Sequence, residues 1–145
     1  MLEGVKIRSL KQFPDERGKV MHMLRNDDPY FQCFGEIYFS CVNSGAIKAW
    51  HLHSRMTLNY AVVFGQIKLV IYDPRPDSST AGQIQEIIMG DSNYCLVTIP
   101  PKIWSGFTGL GSQVSIVANC STIPHDPGEI TRADVSSPQI PYTWN

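Results

Sequence analysis

Glycine, proline, asparagine, aspartate and serine interrupt this 145-residue chain so often that little room is left for a helix of ordinary length. Between the interruptions lie short runs rich in Val, Ile, Tyr and Phe, side chains that suit a pleated, half-buried strand. No apolar repeat at helical spacing competes with them. The pattern predicts an all-β chain with strands over 5–10, 19–24, 36–42, 46–53, 58–64, 66–72, 84–89, 94–99, 104–110 and 113–118. Gly65 separates two of these runs and predicts a hairpin turn. Residues 73–80, Asp-Pro-Arg-Pro-Asp-Ser-Ser-Thr, predict a polar loop. From Thr122 the chain is proline-rich, yet Ile140, Tyr142 and Trp144 predict a tail that packs back on the body. With no repeat, low-complexity tract or linker, residues 1–145 are expected to form one domain with its own core. Such a chain must protect its sheet edges. A sandwich, a closed barrel and a jelly roll all do so, and periodicity does not choose among them.

Composition narrows the functional classes. Hydrophobic residues at 43% and charged residues at 17% describe a globular chain rather than a disordered one. A net charge of −1 supplies no basic field to gather nucleic acid, so no nucleic-acid partner is expected. No apolar run is long enough for a bilayer, and the first residues lack the apolar core of a signal peptide, so no membrane association is expected. Cys33, Cys41, Cys95 and Cys120 form no C-x-x-C pair and sit among apolar neighbours. They read as reduced, buried thiols, which suits a cytoplasmic protein.

The chemistry concentrates in Lys48-Ala49-Trp50-His51-Leu52-His53. Alternate strand residues share a face, so His51 and His53 should point the same way. Two imidazoles side by side suit either proton transfer near neutral pH or metal binding. Metal-binding jelly rolls of the cupin class carry His-x-His, then a glutamate, with a second block ending in histidine. This chain keeps Gly45, His51, His53 and Gly65 in step with that frame, but has Leu58 at the glutamate position and Ser105 at the second-block histidine. Two histidines alone hold a divalent metal poorly, so no metal ligand set is expected.

Over nearly its whole length the chain resembles the dTDP-4-dehydrorhamnose 3,5-epimerase family of metal-free cupins. The resemblance rests on Phe13-Pro14-Asp15-Glu16-Arg17-Gly18, on Gly45 through His51, and on Gly65 through Arg75 to Ser78. It continues through Ile99-Pro100 with Ser105-Gly106-Phe107, then Pro127-Gly128-Glu129 with Asp134 and Trp144. It implies a double-stranded β-helix jelly roll, a homodimer, a nucleotide-sugar substrate and no cofactor. It also implies epimerisation of a nucleotide-linked 4-keto-6-deoxy sugar at C3, C5 or both. His51 falls on the family's base, Asp134 on the carboxylate that braces it, and Arg17 and Lys48 on cations near the phosphates. A carboxylate behind an imidazole fixes its tautomer and favours the imidazolium formed on proton capture.

The departures point elsewhere in the same pocket. The family's lysine aligns with Leu58, its tyrosine donor with Ala118 or Asn119, and its second histidine with Ser105. His53 and Tyr60 are the candidate substitutes, with Ser105 a candidate substrate contact. Three features carry a competing structural reading. Asp134 also fits a turn cap, because Ser136, Ser137 and Pro138 follow it. Lys48 lies three residues from His51 and faces the same side only through a bulge. Trp50, Trp104 and Trp144 read as packing anchors. His22 and His125 receive no role. Two other functions fit the pattern: a sugar-nucleotide 3,4-ketoisomerase, which also uses a His-x-His pair, and a non-catalytic sugar-binding cupin.

Overall fold

A computed structural model describes residues 1–145. Twelve strands run β1 (Lys6–Ser9), β2 (Gln12–Asp15), β3 (Gly18–Met21), β4 (Glu36–Val42), β5 (Ile47–His53) and β6 (Leu58–Phe64), then β7 (Gln66–Tyr72), β8 (Ile84–Gly90), β9 (Cys95–Ile99), β10 (Trp104–Leu110), β11 (Ser115–Ser121) and β12 (Ile130–Arg132). One five-stranded sheet has the order β1-β9-β6-β11-β4 and a second the order β12-β5-β10-β7-β8, while β2 and β3 form a separate ribbon. Every ladder between these strands is antiparallel. The two sheets face each other as a jelly roll. No helix is long and apolar enough to cross a membrane.

The core lies between the sheets because the strands alternate. From β6, Leu58, Tyr60 and Val62 turn inward against Ile67, Leu69 and Ile71 of β7 and Phe107 of β10. Fully burying one such aliphatic side chain contributes about 1.5–3 kcal/mol. Leu58, only 2% exposed, therefore stands as a core residue, and a lysine there would forfeit that gain and bury a charge. On the outer face of the second sheet, Trp50 and Trp104 pack with Val70 and Ile140, and Tyr142 and Trp144 close over them. The tail thus folds back as its apolar residues predict.

Three local features differ from the sequence reading. Gly65 does not make a hairpin: β6 and β7 belong to different sheets, and its φ of +82° turns the chain from one to the other. A Cβ there would stand 2.4 Å from the Ser115 hydroxyl, so the corner has no room for a side chain. Cys33 and Cys41 are exposed; only Cys95 and Cys120 are buried, and all four are free. The third is a bulge in β5. Ser105 pairs with His51 but Phe107 pairs with Lys48, so Ala49 and Trp50 together oppose Gly106. A Cβ on Gly106 would meet that of Ala49 at 2.5 Å, so the bulge needs glycine opposite it. The extra residue reverses the parity and brings Lys48 onto the face of His51.

Candidate active site

The bulge and the short strand β12 together build the site. Across the second sheet, register aligns Ser105 of β10, His51 of β5 and Arg132 of β12 in one row, with Ile130 opposite His53. Across the first sheet, Tyr60, Asn119 and Tyr38 form a corresponding row over β6, β11 and β4. Each row has a closed end and an open end. Tyr60 and Ser105 are 6% and 2% exposed, whereas Tyr38 and Arg132 lie at the surface. A cavity of about 270 Å³ opens between the rows, lined by Glu36, Tyr38, His51, His53, Met56, His125, Ile130 and Arg132. A larger hollow of about 490 Å³ lies beside the β2–β3 ribbon, but the guanidinium groups there already pair within the chain, Arg8 with Asp28 and Arg25 with Asp27.

The two imidazoles share the cavity and have opposite surroundings. His53 is buried, and its Nδ1 is hydrogen-bonded to Oε1 of Glu129. Glu129 ends a 3₁₀ turn, Pro127–Glu129, that is capped by Asp126, whose side chain accepts from the Gly128 N–H at 3.0 Å. Its Oε2 accepts the N–H groups of Arg55 at 3.1 Å and Met56 at 3.2 Å. Burial pushes the Glu129 carboxyl up, but His53 and those two N–H groups outweigh it and hold it below its ordinary value. An ionised Glu129 only accepts, so Nδ1 of His53 carries a proton, and in the neutral ring the lone pair lies on Nε2.

His51 has no carboxylate partner. Its Nε2 accepts from the Arg132 guanidinium at 2.7 Å, which leaves its proton on Nδ1, because arginine only donates. Burial, then the charges of Arg132, His53 and Lys48, pushes its pKa down to about 4. It is therefore neutral at neutral pH.

The structure moves the expected carboxylate brace. Asp134 does not partner His51; it is exposed and accepts from the Ser136 N–H at 2.9 Å and hydroxyl at 2.7 Å, closing the turn that the following serines suggest. Glu129 braces His53 instead. Tyr60 is buried beside the Ser105 hydroxyl, away from the cavity wall, and burial pushes its pKa up, so it does not face the cavity as a donor. Ser105 shares that closed end. Arg17 is exposed in the β2–β3 turn and paired with Asp15 at 2.8 Å, outside the cavity lining. Lys48 stands on the inner face and donates to Ser40 of β4 at 3.0 Å, spanning the two sheets. The sequence reading missed Glu129, Arg132, Tyr38 and His125. The first two lie in the proline-rich region where β12 is only three residues long.

A jelly roll that presents paired imidazoles to an inter-sheet cavity is a cupin built for acid–base chemistry. The chain belongs to the dTDP-4-dehydrorhamnose 3,5-epimerase family, whose description matches residues 1–145. The protein is thus a sugar-nucleotide epimerase, an enzyme of the isomerase class. It is 46% identical to the dTDP sugar isomerase of Desulfovibrio desulfuricans G20, with a TM-score of 0.97 over 99% of this chain and 94% of that one. It is 32% identical over 143 residues to the probable low-salt glycan biosynthesis epimerase Agl13 of Haloferax volcanii, covering 97% of this chain and 88% of that protein. It is 29% identical over 147 residues to the spore coat polysaccharide biosynthesis protein SpsL of Bacillus subtilis, covering 100% of this chain and 97% of SpsL.

Proposed function

We propose that the protein epimerises a dTDP-linked 4-keto-6-deoxy sugar at C3 or C5, with His53 as the base. The observation that carries this reading is the buried Glu129 behind His53, in a cavity shared with a neutral His51. A C4 carbonyl acidifies the neighbouring C–H bonds. His53 Nε2 takes one such proton, and Glu129 favours the imidazolium that results. The negative charge moves to the carbonyl oxygen, where His51 Nδ1–H and Arg132 replace the lysine whose place Leu58 fills. Lys48 and Arg132 supply positive charge for the diphosphate at the mouth. The dTDP sugar in the name of the Desulfovibrio relative supports the choice of nucleotide.

Incubation with dTDP-4-keto-6-deoxyglucose in D2O tests the reading. Proton NMR should show deuterium entering C3 or C5, and His53→Asn should abolish it. Absence of exchange with the parent enzyme sinks the epimerase reading. Exchange that survives His53→Asn and disappears in His51→Asn moves the base to His51. Two imidazoles in one cavity also suit a 3,4-ketoisomerase, which would yield a shifted carbonyl instead of an inverted carbon in the same spectra.

The protein acts as a homodimer in this reading. Edge strand β4 leaves Ile37 and Phe39 at 50% and 62% exposure on its outer face, with Phe34 nearby at 64%. Phe39→Glu should convert a dimer to a monomer in sedimentation; an unchanged dimer places the contact elsewhere. The four free thiols fit a cytoplasmic location.

A further inference from the structure

Inverting a carbon centre takes two proton sites, because the face that loses a proton cannot be the face that receives one. Both imidazoles come from β5, on the second sheet. The wall across the cavity comes from β4, on the first sheet, and contributes Glu36 and Tyr38. Tyr38 bears the sole hydroxyl among the residues that line the cavity.

The hydrogen bonds around Tyr38 fix which way its proton can go. Its phenol oxygen accepts from Nδ2 of Asn119 at 3.0 Å. Asn119 is fully buried, and its Oδ1 accepts the Asn59 N–H at 3.0 Å. Flipping that amide would leave the buried Asn59 N–H without a partner, so Nδ2 is committed to Tyr38. Asn59 is held in turn: its Nδ2 donates to the Cys120 carbonyl and its Oδ1 accepts from Thr98, at 3.0 and 2.7 Å. The phenol is thus an acceptor toward the protein, and its own O–H has no acceptor within the chain. At 36% exposure, it also reaches water at the cavity mouth.

We propose that Tyr38 is the proton donor on the face opposite His53, and that Asn119 is the positioning residue that keeps its O–H turned to the cavity. The inference rests on the epimerase reading above. Nε2 of His53 takes the proton, and the C–H electron pair passes into the enolate. That pair then takes the proton of Tyr38 on the opposite face, restoring the C4 carbonyl. The phenolate regains a proton from water at the mouth, and the imidazolium releases one. No atom is gained or lost, and the carbon is inverted.

The test separates exchange from inversion, again with dTDP-4-keto-6-deoxyglucose in D2O. Tyr38→Phe keeps the ring and removes only the hydroxyl. It should still exchange the substrate C–H, because His53 can return deuterium to the face it took the proton from. Its inversion should fall by about 10²-fold or more, the usual contribution of a positioned acid. Asn119→Asp keeps the acceptor for Asn59 and turns its second oxygen toward the phenol, drawing the O–H away from the cavity. It should reproduce the split between exchange and inversion, which mere loosening of the fold would not. Inversion by Tyr38→Phe at the parental rate overturns the donor role while leaving the epimerase reading intact. Equal loss of exchange and inversion in Tyr38→Phe also overturns it. A parent enzyme that exchanges nothing overturns both.

Discussion

Replacing Glu129 by glutamine changes one atom and reverses the polarity of the bond on which the proposed base depends. Oε2 of Glu129 holds two backbone N–H groups, those of Arg55 and Met56. A glutamine must keep its carbonyl oxygen there, because its amide would set donor against donor. The NH2 then faces Nδ1 of His53. Nδ1 becomes an acceptor, the ring proton moves to Nε2, and the lone pair that faced the substrate is gone. A wrong-tautomer imidazole costs about 10⁴-fold in the Ser-His-Asp hydrolases. Exchange into the substrate should therefore fall by about 10³–10⁴-fold. Stability should fall much less, by about 1–2 kcal/mol, since a charge-assisted bond becomes a neutral one and no buried donor is orphaned. Proton NMR in D2O measures the first quantity and urea denaturation the second. A folded Glu129→Gln enzyme that exchanges within threefold of the parent refutes the reasoning and removes the dyad from the mechanism.

Three further perturbations have defined outcomes. His51 has a folded pKa pushed down to about 4, so the unfolded chain takes up its proton first as pH falls. Stability from this group is complete above about pH 6.5 and is lost between there and pH 4, by about 2 kcal/mol after allowing for its partial exposure; denaturation of His51→Gln should lack that part of the pH slope, and matching slopes would count against it. Gly106→Ala should lower stability by about 1–3 kcal/mol, because its Cβ would press on Ala49 at 2.5 Å; an unchanged melting temperature would mean that the bulge relaxes freely. Leu58→Lys, which restores the residue the family resemblance implies, should destabilise the protein strongly without raising turnover, since that position is 2% exposed within the core; a folded variant with faster exchange would show that the pocket extends to β6.

The strand pattern was legible because most strands have one buried face, and a period of two follows from that burial. Runs such as Glu36–Val42 and Leu58–Phe64 lie where the sequence puts them. The crossover at Gly65 was not legible, because a glycine between two strand-like runs looks the same whether the strands pair or part into different sheets. The histidine pair was legible from spacing, but its partners were not. Glu129, two residues after Pro127, and Asp134, two residues before Ser136, are both carboxylates in turn-like sequence, and only the register of β12 against β5 puts Glu129 behind His53 and leaves Asp134 in a turn. Lys48 needed a bulge that neither strand announces except through Gly106. Tyr38 carries no motif at all; pairing with Asn119 on the neighbouring strand gives it meaning.

Both imidazoles meet their partners only through the last stretch of the chain, 76 residues on for His53 and 81 for His51. During synthesis β1 to β11 leave the ribosome before the groups that set the tautomers of those rings. A nascent chain halted before Glu129 would carry both histidines with neither ring's tautomer fixed, so on the proposed mechanism a message cut short would yield a protein with no poised base.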